Sequence, residues 1–117
     1  MAGKREASWP ALGLERYAPP DVKIKSKLGG GVLKELVIRE LTSKKVIHYA
    51  LAYINANIYA GDNGRVLGYD NRHDYSHKLY YGTITPEPFV TYEALYEKFQ
   101  SEWMDIALRH VNGERRL

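Results

Sequence analysis

The sequence contains no cysteine. This absence excludes a disulfide framework, a thiolate-ligated zinc site and a cysteine nucleophile. The sequence also has no apolar run of the length that a membrane-spanning helix requires, and its first residues lack the apolar stretch of a secretory signal. We therefore expect a cytoplasmic protein that has no membrane association and that folds without covalent cross-links.

Several enzyme motifs are missing as well. Three consecutive glycines at 29–31 precede a strand pattern rather than a helix that carries a lysine, so they do not form a phosphate-cradling loop. The sequence has no serine nucleophile elbow and no pair of glutamates placed for glycosidase chemistry. Nucleotide hydrolysis, serine-type hydrolysis and glycoside hydrolysis are therefore disfavoured, and we expect no cofactor.

What remains is a chain with the size and composition of one ordinary globular domain. Its 117 residues are 44% hydrophobic and 26% charged, close to the average for soluble proteins. The formal net charge is +3, and the excess of lysine and arginine lies in the N-terminal two thirds. A basic surface attracts nucleic acid because it releases counterions from phosphates. Nucleic acid is therefore a candidate partner, and a merely solvated basic surface is the alternative.

The N-terminal segment 1–30 predicts an extended, basic arm. The adjacent Pro19 and Pro20 favour extended chain, because proline lacks an amide donor and fixes its own φ. The glycines at 29–31 predict a flexible joint after this arm. We expect residues 31–117 to form a single α+β domain.

Alternation of apolar and polar residues predicts an antiparallel, hairpin-rich sheet of about four strands. The first two strands are expected at 32–39 and from residue 46 to about residue 59, on either side of a polar turn. The turn at 61–64 contains Asn-Gly, which accepts the positive φ values of a tight hairpin, so 65–69 is expected to be the returning strand. Residues 77–82 are expected to complete the sheet.

The C-terminal third predicts one amphipathic helix that packs on this sheet. Thr91 is suited to accept a hydrogen bond from an amide of the first helical turn, and Glu93 complements the positive helix N-terminus. Apolar residues at helical spacing define one core stripe: Leu95, Phe99, Trp103 and Ile106, with Tyr96 and Ala107 beside them. The acidic residues of the same helix, including Glu102, are expected to face away from the core.

The segment before the last predicted strand, together with that strand, concentrates the groups that can carry chemistry. Histidine exchanges protons near neutral pH, arginine and lysine bind phosphate, and tyrosine rings stack on bases. The candidate residues are His73, His77, Arg72, Lys78, Tyr69, Asp70, Asn71, Tyr80 and Tyr81. These residue types together are typical of an RNA-cleaving site.

Metal-free RNA cleavage needs a base for the 2′-hydroxyl, a cation for the charged phosphorane and an acid for the leaving 5′-oxygen. We assign the proton transfers to His73 and His77, and the stabilising charge to Arg72 or Lys78. The remaining candidates are assigned to substrate binding: Tyr69, Asp70, Asn71, Tyr80 and Tyr81. We expect no metal, because two histidines four residues apart have no special geometry outside a helix.

Other interpretations fit the same residues. Asp70 and Asn71 form a natural turn pair whose side chains can simply bind backbone amides. His48, within a strand, and His110, near the helix end, are expected to have structural roles. The chain can also be a non-catalytic module that binds nucleic acid or a protein. A purely structural subunit is a further alternative, in which an exposed strand edge and the arm that contains Trp9 mediate oligomerisation, for example as a homodimer.

Three motifs follow one another along the chain. They are Leu51-Ala52-Tyr53, a strand that ends in Tyr69-Asp70-Asn71 before a His/Arg stretch, and a Pro-Phe-Val-Thr turn at 88–91 that leads into the helix. With these motifs, residues 32–108 resemble the TumE-type toxins of prokaryotic toxin–antitoxin pairs. The resemblance implies an mRNA interferase-like endoribonuclease, paired with a helix-turn-helix antitoxin. The positions that match the shared segment are Tyr69, Asp70, Asn71, Arg72, His73 and His77.

Overall fold

The structure, a computed structural model, describes residues 9–72 and 75–113. In these residues the fold is α+β, with one antiparallel sheet of seven strands packed against one C-terminal helix. The elements are β1 (Leu14–Tyr17), β2 (Val22–Lys23), β3 (Val32–Glu40), β4 (Val46–Ile54), β5 (Arg65–Asp70), β6 (His77–Tyr80), β7 (Thr83–Pro86) and α1 (Tyr92–Val111). The strand order is β1-β3-β4-β5-β6-β7, and β2 also pairs with β3.

The sheet is wider than the four strands expected from the sequence, because strands are added at both edges. β1 and β2 both pair with β3, so part of the segment expected to be an extended arm belongs to the sheet. At the other edge, β7 pairs with β6 through a two-residue turn at Tyr81-Gly82, where both φ values are positive. Tyrosine is an unusual residue for such a turn, which explains why the sequence pattern did not predict β7.

The two central hairpins of the prediction are confirmed, although the second has a different turn. β3 pairs with β4, and β4 pairs with β5, both antiparallel. Asn63 and Gly64 have the expected positive φ values, but they end a longer connection that begins at Asn55. The side chain of Asn55 is buried and donates a hydrogen bond to the Gly29 carbonyl at 2.8 Å. The connection is therefore tied to the glycine segment that precedes β3.

The helix begins and packs as its sequence predicts. Oγ1 of Thr91 accepts a hydrogen bond from the Ala94 amide at 3.1 Å, which satisfies one of the free donors of the first turn. The core joins the apolar stripe of α1 to the tyrosines and leucines of β4 and β5: Tyr49, Leu51, Tyr53, Leu67, Tyr69, Leu95, Phe99, Ile106 and Ala107. Among the described residues, no helix combines the length and apolar character needed to cross a membrane.

The strand register divides the sheet into two faces, because cross-strand partners project to the same side. Tyr49, Leu51 and Tyr53 of β4 project toward α1. The residues between them project to the other side, which we call the distal face. On the six strands from β1 to β6 the distal face includes Arg16, Lys23, Val32, Lys34, Leu36, Ile38, His48, Ala50, Ala52, Ile54, Gly68, Asp70, His77 and Leu79.

Candidate active site

The predicted site lies where β5 ends and β6 begins, on the distal face. Asp70 and His77 are cross-strand partners, and Nε2 of His77 lies 2.7 Å from Oδ1 of Asp70. The same oxygen accepts a hydrogen bond from the backbone amide of Arg72 at 3.1 Å. Asp70 is 3% exposed and His77 is 8% exposed. The aspartate therefore holds both the imidazole ring and the start of the loop that follows β5.

The second nitrogen of His77 also faces a protein acceptor. Nδ1 lies 3.4 Å from the Tyr75 carbonyl oxygen, and the two rings are in contact with centroids 5.2 Å apart. Tyr75 itself is 51% exposed and covers this side of the imidazole. His77 is therefore an oriented and largely buried histidine whose ring packs against Tyr75.

One guanidinium group, that of Arg65, approaches the buried aspartate. Arg72 is exposed at the end of β5. The side chain of Arg65 crosses the distal face beside Gly68, where a Cβ would lie 3.1 Å from Cδ of Arg65. Its Nη1 is 3.9 Å from Oδ2 of Asp70, and its Nε donates to Asp62 at 2.9 Å. Arg65 was not among the residues predicted for the site, because its side chain reaches Asp70 only by passing beside Gly68, on the same face of the sheet.

Asn71 extends the pairing of β4 beyond the end of β5 with its side chain. Oδ1 accepts a hydrogen bond from the Tyr49 amide at 3.1 Å, and Nδ2 donates to the Ile47 carbonyl at 2.9 Å. Oδ1 also lies 2.8 Å from Nδ1 of His48. His48, which the sequence assigned to a structural role, is half-buried on the distal face next to the predicted site. The signal that indicates it is strand parity, since His48 and Asp70 project to the same side.

Four of the candidate residues do not lie on the distal face. Tyr69 is fully buried under α1, and its hydroxyl donates to Glu102. Burial, with Glu102 beside it, raises the pKa of Tyr69 far above its usual range. Nζ of Lys78 is 2.7 Å from Glu102 and lies over the ring of Tyr80, which is 41% exposed. Tyr81 lies in the β6–β7 turn.

The expectation that Glu102 faces away from the core was wrong. Its carboxylate accepts from Tyr69 and pairs with Lys78, so it links α1 to β5 and β6. His73 lies outside the described residues, and its catalytic role stays a prediction. In the described ranges, no group of three or more histidine, aspartate and glutamate side chains is arranged to hold a metal ion.

Exposed cations surround a floor of small residues on the distal face. Ala50, Ala52 and Gly68 occupy neighbouring positions at its centre. Toward the β1 edge the face carries the exposed cations Arg16, Lys23 and Lys34. Lys34 pairs with Asp21 at 2.7 Å, whereas Arg16 and Lys23, like Arg72 at the far side, form no ion pair within the part of the chain that the structure describes.

Comparison of the chain with protein-family models gives no match. Comparison with curated proteins and with solved structures gives no significant match either. A functional assignment therefore depends on the residues of the distal face and on the motifs of the sequence.

Proposed function

We propose that this chain is the toxin of a toxin–antitoxin pair, an endoribonuclease that cleaves RNA by metal-free acid–base chemistry on the distal face. One observation carries the proposal. The oriented pair of Asp70 and His77 lies beside exposed Arg72, at the end of a face that also presents unpaired cations. The resemblance to TumE-type toxins supports the same function. In this proposal the partners are RNA and a helix-turn-helix antitoxin, the chain acts in the cytoplasm, and a homodimer is possible.

The arrangement suits the chemistry of phosphodiester cleavage. Arg72 supplies positive charge for the phosphorane, whose oxygens gain negative charge in the transition state. Asp70 fixes one orientation of the His77 ring, as the carboxylate of a hydrolase triad fixes its histidine. His73 and His77 remain the proposed proton-transfer residues of the β5–β6 loop.

The distal face also suits the substrate. RNA binding draws most of its affinity from contacts between lysine or arginine and phosphates. Arg16 and Lys23 lie toward one side of the sheet and Arg72 lies at the other, separated by three strand spacings, or about 14 Å. The small side chains of Ala50 and Ala52 between them leave room for an RNA backbone to approach the sheet.

Induced expression tests this function directly. We expect the wild-type chain to arrest growth with loss of RNA, and a variant with Arg72→Ala, His73→Ala and His77→Ala to allow growth. Circular dichroism establishes whether the variant folds. The matched control replaces Arg109 and His110, an exposed Arg-His pair at the far end of α1, and should arrest growth like the wild type. A folded triple variant that still arrests growth contradicts the site, and a harmless wild type contradicts the toxin function.

The exposed cations of the distal face also favour a second candidate function, in which this face binds RNA without cleaving it. We expect the combined change Arg16→Ala, Lys23→Ala and Lys34→Ala to weaken RNA binding. It should also lower the slope of log Kd against log salt by about 2, because each phosphate of a single strand that is no longer neutralised contributes about 0.7. Fluorescence anisotropy with a short single-stranded RNA at several salt concentrations measures both.

A charge-matched control for this binding experiment changes Lys25, Lys27 and Arg109 to alanine, which removes three positive charges from exposed positions that are not part of the distal face. If both variants lower the slope equally, only net charge matters and the distal face is not the interface. Salt-dependent binding that requires the distal cations, without any cleavage by the wild type, would favour the binding function over the toxin.

A further inference from the structure

Asn71 has only one amide orientation that satisfies its neighbours. Its Oδ1 lies 3.1 Å from the Tyr49 amide nitrogen, which can only donate, and its Nδ2 lies 2.9 Å from the Ile47 carbonyl oxygen, which can only accept. The reversed orientation would place donor against donor and acceptor against acceptor. Because backbone groups decide the orientation, it does not depend on any choice about a histidine proton.

This orientation fixes the tautomer of His48. Nδ1 lies 2.8 Å from Oδ1 of Asn71, which can only accept, so Nδ1 must carry a proton. In the neutral ring the lone pair is then on Nε2. Within the described residues, Nε2 has no hydrogen-bond partner, and the side chain is half-buried rather than enclosed. His48 therefore presents a basic nitrogen to the distal face in a fixed orientation.

The register places this nitrogen at the candidate site. The β4–β5 pairing ends with Ala50 and Asp70, so His48 lies two residues from this last pair on β4 and Arg72 lies two residues beyond it after β5. The bond between the Asn71 side chain and the Tyr49 amide follows the same register. His48 thus lies at the level of the exposed arginine, one step along the sheet from the pair of Asp70 and His77.

We propose that His48 is the general base of the proposed RNA cleavage and that Asn71 is its positioning residue, an inference that rests on the proposed function. Nε2 of His48 takes the proton of the 2′-hydroxyl while O2′ bonds to phosphorus and the bond from phosphorus to O5′ breaks. O5′ leaves with a proton from a histidine of the β5–β6 loop, so that His48 takes the place of only one of the two proton-transfer residues proposed above. Solvent then restores the proton of this acid and accepts the proton from His48. The products are a 2′,3′-cyclic phosphate and a 5′-hydroxyl end, and Arg72 faces the phosphorane.

The charged groups near His48 lie on the strands at either side of β4. On the β5 side these groups are Arg72 and, one step along, Asp70, which is paired with His77 of β6. On the β3 side the direct neighbour is apolar Ile38, and Arg16 of β1 lies beyond it. Asn71 contributes a neutral dipole, so replacing its amide with a carboxylate changes the charge at Nδ1 of the ring.

Replacing His48 tests the proton transfer. We expect His48→Ala to lower kcat for a short single-stranded RNA by about 100-fold or more, the usual effect of losing a general base, while RNA affinity changes less than about threefold. The measurement uses the purified full chain and detects the cyclic phosphate end. His110→Ala serves as the control, because His110 is exposed near the end of α1, and should leave the rate unchanged.

Replacing Asn71 tests the positioning with readouts that a structural role would not change. Asn71→Asp keeps an acceptor for Nδ1 and adds a charge that stabilises the imidazolium, so the acidic limb of the kcat/KM profile should move to higher pH by about one unit. Nitrogen NMR of labelled histidine should find the Nδ1–H tautomer of His48 in the wild type and a mixture in Asn71→Ala. This spectrum does not require activity.

The outcomes separate this inference from the function on which it rests. If the wild type cleaves RNA and His48→Ala cleaves it equally fast, His48 is not the base and the toxin function stands. If the wild type cleaves no RNA, the function and the base assignment fail together. An Nε2–H tautomer in the wild type overturns the positioning role of Asn71, whatever the cleavage rates show.

Discussion

The free energy of unfolding is expected to fall steeply once the pH rises above 10. Tyr49, Tyr53 and Tyr69 lie in the core with at most 1% of their surface exposed. Burial raises the pKa of all three hydroxyls above the usual value near 10, and for Tyr69 the neighbouring Glu102 raises it further. Three phenols therefore stay neutral in the folded chain at a pH where the unfolded chain ionises them.

The direction of the effect follows from proton counting. Below pH 10 the folded and unfolded states both keep these protons, so the stability that the neutral hydroxyls contribute is fully present. Above pH 10 the unfolded state releases protons that the folded state retains, and each tyrosine that stays neutral lowers the free energy of unfolding by at most about 1.4 kcal/mol per pH unit. Tyr69, whose pKa is raised far above its usual range, approaches this limit, and Tyr49 and Tyr53 add to the loss in the same direction. The total stability of a typical domain is about 5–15 kcal/mol.

Urea denaturation at pH 9, 10, 10.5 and 11 measures this slope. Tyr53→Phe should lower the slope, because one of the retained protons is removed from the balance. Tyr75→Phe is the control, since Tyr75 is 51% exposed and its hydroxyl remains in water in both states. A free energy of unfolding that stays constant from pH 10 to pH 11 would contradict the burial of these hydroxyls.

The elements with a clear hydrophobic period were predictable from the sequence. The alternation in β3 and β4 and the stripe of α1 are confirmed, because each pattern matches the one face that the element buries. β1 lies between prolines and has no legible period, so its pairing with β3 depends on contacts that only the folded sheet provides. The residues from 22 to 27 do alternate, and a short edge strand there is what β2 forms. β7 follows a turn that contains Tyr81 at positive φ, which no local preference indicates.

The site was predictable as a segment but not as a set of side chains. The antiparallel pairing of β5 with β6 brings Asp70 to His77, and the sequence placed both in one cluster. Tyr69 and Lys78 project toward α1, on the opposite side of the sheet from Asp70 and His77. Only the alternation of side chains along each strand distinguishes these two groups, and composition alone does not. His48 was missed because it is distant along the chain, and only the β4–β5 register carries it to the site.

At the glycines 29–31 a single added methyl group is expected to cause a large loss of folding stability. The sequence suggests a flexible joint, yet Gly29 is buried against α1. Its φ is +117°, and a Cβ there would lie 2.6 Å from Cβ of Ala107 and 3.1 Å from its Cα. The Gly29 carbonyl also accepts the hydrogen bond from Asn55. The glycines therefore form a packed junction between the N-terminal strands and the helix.

Gly29→Ala is expected to lower the free energy of unfolding by about 3 kcal/mol or more, because the positive φ costs an L-residue about 1–2 kcal/mol and overpacking adds about 1–3 kcal/mol. Gly13→Ala is the matched control. Gly13 has a φ of +76°, and nothing lies within 4 Å of the position that an added methyl group would take, so only the conformational cost of about 1 kcal/mol applies. Urea denaturation at neutral pH measures the free energy of unfolding of both variants. The difference between the two losses is the effect of packing against α1.

Equal losses in the two glycine variants would mean that the junction yields freely and that the flexible joint suggested by the sequence is correct. A larger loss at Gly29 would mean that the N-terminal strands are held in place by α1. Such a junction has a consequence for the distal face, because β1 and β2 carry Arg16 and Lys23. A rigid junction holds these cations in register with β3, so Gly29→Ala should also weaken salt-dependent RNA binding under conditions in which the variant remains folded, whereas Gly13→Ala should not.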